Sequence, residues 1–80
     1  MSTLAVNVEP LAEDVICTDD ALRVFLTDGR EISVPLVWFP RLQHATPDQR
    51  KQWRLIGQGI GIHWESVDED ISVESLLAIK

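Results

Sequence analysis

The sequence predicts an α+β domain: an antiparallel three-stranded meander plus a further strand, packed with two to three short helices. Asp28-Gly29 lies between two runs of alternating apolar residues, the strongest short-range hairpin signal. Thr46-Pro47-Asp48-Gln49 has the form of a capping box with proline at the first helical position. Ile60, Ile62 and Trp64 alternate with Gly61, His63 and Glu65, which is strand periodicity with one apolar face.

Taken in order, residues 1–12 are an N-terminal arm or an extra strand, Leu4, Val6 and Val8 alternating within it, and residues 13–80 are a single domain. Val15 to Thr18 is β-rich and closes on the turn residues Asp19-Asp20. Leu22 to Thr27 places Leu22, Val24 and Leu26 on one face and Arg23, Phe25 and Thr27 on the other. A type I′ turn at Asp28-Gly29 returns the chain through Arg30 to Val34, with Ile32 and Val34 pointing to one side. Pro35 ends the sheet by withholding a ladder donor. Trp38, Leu42 and Ala45 are then at helical spacing, and Pro40 requires that helix to start near Val37 or Trp38. A second helix is expected from Pro47 to about Leu55, with Trp53 as its buried anchor. The glycines at 57, 59 and 61 suggest a bulge or a close backbone approach. Ser72 is the expected N-cap of a last helix, with Glu74 in its first turn and Val73, Leu76, Leu77 and Ile79 as its apolar stripe.

Composition narrows the functional classes. A chain of 80 residues leaves room for one domain, and a domain of that size buries only about 60–65% of the surface its unfolded chain exposes. Trp38 and Trp64 are therefore expected in the core, with Trp53 divided between core and interface. The single cysteine, Cys17, cannot form an internal disulfide, and the first ten residues lack a basic n-region, so a cytoplasmic location is expected. The apolar runs are too short for a membrane span. A formal charge of −6 argues against binding nucleic acid on its own.

The charge is also uneven. Arg41, Arg50, Lys51 and Arg54 occupy the middle, while Glu65, Asp68, Glu69, Asp70 and Glu74 crowd the last quarter. Each group reads first as a solvated face. The acids also read as a contact surface that steers a basic protein partner, and these five residues are the candidate partner-binding site. The alternative is a small metal-binding or metal-dependent enzyme domain built on His63 and the Asp68-Glu69-Asp70 run, carboxylates favouring hard cations. No HxH, ExxH or DxDxDG spacing supports that alternative, and placing the acids before a helix N-terminus explains them through the macrodipole. Cys17 lies between Ile16 and Thr18 beside Asp19 and Asp20, which would raise a thiol pKa, so it reads as a buried hydrophobe. His44 reads as a C-terminal helix cap. Gly57-Gln58-Gly59-Ile60-Gly61 lacks the Lys-Ser/Thr of a phosphate loop. No catalytic site, cofactor or metal is expected, and the domain is expected to be a monomer or a homodimer.

Gly61-Ile62-His63-Trp64 followed by Val67-Asp68-Glu69-Asp70-Ile71-Ser72-Val73-Glu74-Ser75-Leu76-Leu77 resembles the bacterial DUF2442 family. Trp38-Phe39-Pro40-Arg41-Leu42, Ala45-Thr46-Pro47, Arg50 to Trp53 and the Asp28-Gly29 hairpin fit the same family, over roughly residues 13–78. The resemblance implies a small α+β domain of no established activity, found alone or joined to a helix-turn-helix domain. It also implies pairing with a second small protein of the DUF4160 type, a proposed toxin and antitoxin. No helix-turn-helix segment is legible in these residues, so a DNA-binding role does not carry over.

Overall fold

A computed structural model describes residues 10–78. Residues 1–9, and with them Leu4, Val6 and Val8 of the expected arm, lie outside the described residues, as does Ile79.

The expected meander is present. Strands β1 (Ala12–Cys17), β2 (Ala21–Leu26) and β3 (Glu31–Pro35) form an antiparallel sheet in the order β1-β2-β3. Leu22, Val24 and Leu26 are buried on one face, as the alternation requires, while Arg23 and Phe25 are half-buried on the other. The hairpin turn is not type I′. Among the described residues Asp68 is the one non-glycine at positive φ, so of the two turn residues only Gly29 (φ +95°) is left-handed. Asp28 Oδ1 accepts from the Arg30 amide at 3.0 Å, and this Asx bond holds a turn with a single left-handed position.

The expected helix from Val37 to Ala45 is broken in two. Leu36–Trp38 forms a single 3₁₀ turn, and α1 (Pro40–Gln43) follows it. Between them Phe39 has φ −126° and ψ 83°. Pro40 excludes its predecessor from the α region, which makes the interruption a steric consequence of one residue. Trp38 is thereby left 48% exposed instead of in the core. Helix α2 (Pro47–Arg50) opens on both bonds of the capping box, Gln49 N to Thr46 Oγ1 at 3.1 Å and Thr46 N to Gln49 Oε1 at 2.9 Å. It ends at Arg50, not near Leu55.

The chain then enters a second antiparallel sheet: β4 (Trp53–Ile56), β5 (Gly61–Trp64) and β6 (Glu69–Ser72), in the order β4-β5-β6. The further strand expected around Ile62 is the centre of this sheet. Trp53 is a half-buried strand residue opposite Trp64, not a helix anchor. Two residues explain the difference: Gly57 (φ +61°) and Gly59 (φ +109°) close a turn that folds β4 back on β5. Glu69 and Asp70 consequently lie within β6 and Asp68 just before it, so none of the three is in the first turn of α3 (Val73–Ala78), where Glu74 lies. Ser72 is the expected cap, its Oγ accepting from Ser75 N at 3.1 Å.

Both sheets feed one apolar cluster: Val15, Leu22, Val24 and Leu26 meet Ile62, Trp64 and Ile71, with Leu36, Leu42, Val73 and Leu76 from the connecting elements. Two polar joints reinforce it. The Ala12 amide donates to the Gly59 carbonyl at 2.7 Å. Arg50, expected on a solvated face, is 7% exposed. Its guanidinium donates to the carbonyls of Leu42 (2.9 Å) and Gln43 (2.7 Å) and to Asp19 (2.6 Å). Its own carbonyl accepts from Trp64 Nε1 at 3.1 Å.

Candidate functional site

The outward face of the second sheet is built by register. Trp53, Leu55, Ile62, Trp64 and Ile71 point inward, so Arg54, Ile56, Gly61, His63, Asp70 and Ser72 point out. Two rows cross the three strands. One runs Arg54–His63–Asp70 and the other Ile56–Gly61–Ser72.

The first row is a charge network. His63 is only 13% exposed in its side chain; its Nδ1 donates to Asp70 and its Nε2 lies 3.4 Å from Glu65 Oε1. Arg54 Nε lies 3.9 Å from the same Glu65 oxygen. The imidazole is therefore wedged between two carboxylates, one on each ring nitrogen. That arrangement does not converge: Asp70 and Glu65 address opposite sides of the ring and cannot share one ion with it. Among the described residues no group of three His, Cys, Asp or Glu side chains is placed to hold a metal. Among the described residues no hydroxyl or thiol is hydrogen-bonded to either ring nitrogen, the pairing that nucleophilic catalysis needs.

The sequence-predicted acids do not form one cluster. Glu65 and Asp70 meet through His63. Asp68 is exposed in the left-handed region (φ 52°), where its carbonyl accepts from Arg41 Nη1 at 2.6 Å. Glu69, opposite Trp64, is half-buried on the inward face. Glu74 is exposed on α3.

Beside the charge row lies an apolar depression that the sequence did not single out. A hollow of about 170 Å³ is lined by Ile56, Ile60, Gly61, Asp70, Ile71 and Ser72. A second, of about 250 Å³, shares Ile60 and Ser72 with it and continues to Pro10 and Glu74. Ile60 is 47% exposed at their junction. The usable sequence signal was Ile56 and Ile60 bracketing Gly57-Gln58-Gly59, which reads as a hairpin tip once Trp53 to Ile56 is taken as a strand.

Elsewhere, Cys17 is half-buried against the core, and burial pushes its thiol up, with Arg50 opposing and Asp19 adding to the shift. His44 occupies the exposed C-cap position of α1. Arg23 holds the Glu31 carboxyl below its usual range, and the Arg30 backbone amide does the same for Asp28.

Among the described residues no helix is long and apolar enough to cross a membrane. No curated protein matches the chain. A crystal structure of a protein of unknown function from Rhodospirillum rubrum is similar, at 32% identity and a TM-score of 0.75, covering 89% of this chain and 88% of that one. A solution NMR structure of an uncharacterized protein from Chromobacterium violaceum shares the fold at 23% identity and a TM-score of 0.72, covering 85% of this chain and 64% of that one. Residues 12–80 match DUF2442, described as a protein of unknown function. The hairpin, the capping box and the His63-to-Ser72 stretch that carried the resemblance lie inside that span, and the chain belongs to the DUF2442 family.

Proposed function

We propose that the domain is a non-catalytic protein-interaction module whose acidic surface takes a small basic protein, in the manner of an antitoxin with its partner. One observation carries this. Every arginine of the chain is engaged internally: Arg23 with Glu31, Arg30 with Asp28, Arg41 with the Asp68 carbonyl, Arg50 with Asp19, and Arg54 near Glu65. Each arginine is thus held by an acceptor of its own chain, which leaves the remaining carboxylates of the described residues without an arginine partner on a surface of formal net charge −6. Such a field raises the encounter rate with a cationic partner and weakens as salt screens it. Glu65, Asp68, Asp70 and Glu74 supply the exposed carboxylates, while Glu69 is half-buried on the inward face.

The test is titration calorimetry against the small basic protein encoded beside this one, at low and at high salt. A complex is expected that weakens with salt and with the double substitution Glu65→Gln, Glu74→Gln, both at exposed positions. A neighbouring frame encoding no basic protein, or a basic neighbour that does not bind, sinks the proposal.

A further inference from the structure

We infer that the depression over Ile56 and Ile60 seats an aliphatic side chain of a partner segment whose next residue is basic. This rests on the interaction reading above and adds a floor and an orientation to it. The floor is aliphatic, and Ile60 stands half out of the surface where the two hollows join. Covering an isoleucine of this kind is favourable at about 25 cal/mol per Å² of apolar area.

Charge complementarity selects the occupant. Along the neighbouring row the cation, Arg54, stands at the β4 end and the anion, Asp70, at the β6 end. The second hollow ends at Glu74, which is exposed and forms no ion pair among the described residues. The floor is thus bounded by carboxylates on its β6 and α3 side, while the Arg54 guanidinium is drawn toward Glu65, off the floor. A segment with an aliphatic residue over Ile56 and Ile60 places its following Lys or Arg between Asp70 and Glu74. An acidic segment in the same position meets like charge, which costs affinity.

Three hexapeptides separate the contributions: alternating Lys-Leu, alternating Lys-Ser and alternating Glu-Leu, each titrated to about millimolar into the full ¹⁵N-labelled chain. The Lys-Leu peptide is expected to shift the amides of Ile56, Ile60, Gly61, Ile71 and Ser72, and the other two to leave them in place. Ile60→Ser should weaken the Lys-Leu peptide about tenfold, the equivalent of one buried aliphatic group. Glu74→Gln should weaken it about threefold at low salt. Both positions are exposed, and the unchanged amide spectrum elsewhere checks that each variant is folded. Equal shifts from Lys-Ser and Lys-Leu overturn the inference and leave the acidic-surface proposal standing. Silence from both cationic peptides counts against both. Concentration-dependent shifts of these amides without peptide identify a second copy as the occupant and overturn it. So do Overhauser contacts from residues 1–9 to Ile60 in the full chain.

Discussion

Arg50 shows how one side chain organises several segments. Burying a guanidinium is costly unless its donors are matched, and here they meet two carbonyls at the end of α1 and the Asp19 carboxylate. Lysine cannot reproduce that fork, since its ammonium is a point donor on a flexible stem. Arg50→Lys is expected to cost about 2–3 kcal/mol in urea unfolding, because at least one buried carbonyl loses its donor. A loss below about 0.5 kcal/mol would show that water replaces the fork. Cys17 belongs to the same scale. Below the ordinary thiol pKa of about 8.5, folded and unfolded chains both hold the proton, and Cys17 adds no pH dependence. Above it the unfolded chain ionises first, because burial raises the folded value, so stability falls as pH climbs toward that value. Unfolding of the native chain and of Cys17→Ala, compared between about pH 8 and about pH 10, should show the extra decline only in the native chain.

The elements differ in how legible they were. The first sheet could be read from residues because its code is local: Leu22, Val24 and Leu26 alternate, and Asp28-Gly29 turns. The capping box was equally local, and Thr46→Ala is expected to cost about 1 kcal/mol, measurable in the same unfolding assay. Past Arg50 the local code is ambiguous. Trp53 to Ile56 has Trp53 and Leu55 on one face but Arg54 and Ile56 on the other, too short and mixed a run to separate strand from helix, and only pairing with β5 decides it. The candidate site inherited that ambiguity. The acids were visible as a charge run, but which of them share a face depends on β6 being a strand, which sends Glu69 and Asp70 to opposite sides. The apolar floor was invisible because it exists only once β4 folds onto β5. Trp38 went astray for a different reason: Pro40 constrains Phe39, and the break turns the indole outward.

At the scale of the molecule, two meanders that each satisfy most of their own hydrogen bonds are joined by a shared cluster and a few polar links. Trp64 belongs to the second sheet, yet its indole donates to Arg50, whose guanidinium reaches the turn before β2. The sheets are expected to unfold together, and indole fluorescence and far-ultraviolet dichroism should give coincident urea transitions. Separate midpoints would mean that the links are weaker than the meanders.

The link from Ala12 to Gly59 is also the least forgiving of change. A methyl group on Gly59 would sit 2.3 Å from the Ala12 carbonyl oxygen, in a backbone region (φ +109°) that side chains rarely enter. Gly59→Ala is expected to lose at least about 2 kcal/mol in urea unfolding. Gly29 also has positive φ, but its added methyl would meet no atom within 4 Å. In a saturation library scored by cellular abundance, position 59 should accept glycine alone, while position 29 should also admit asparagine and aspartate. Two glycines of similar backbone hand would then differ in mutational tolerance solely because one has a neighbouring strand pressed against it.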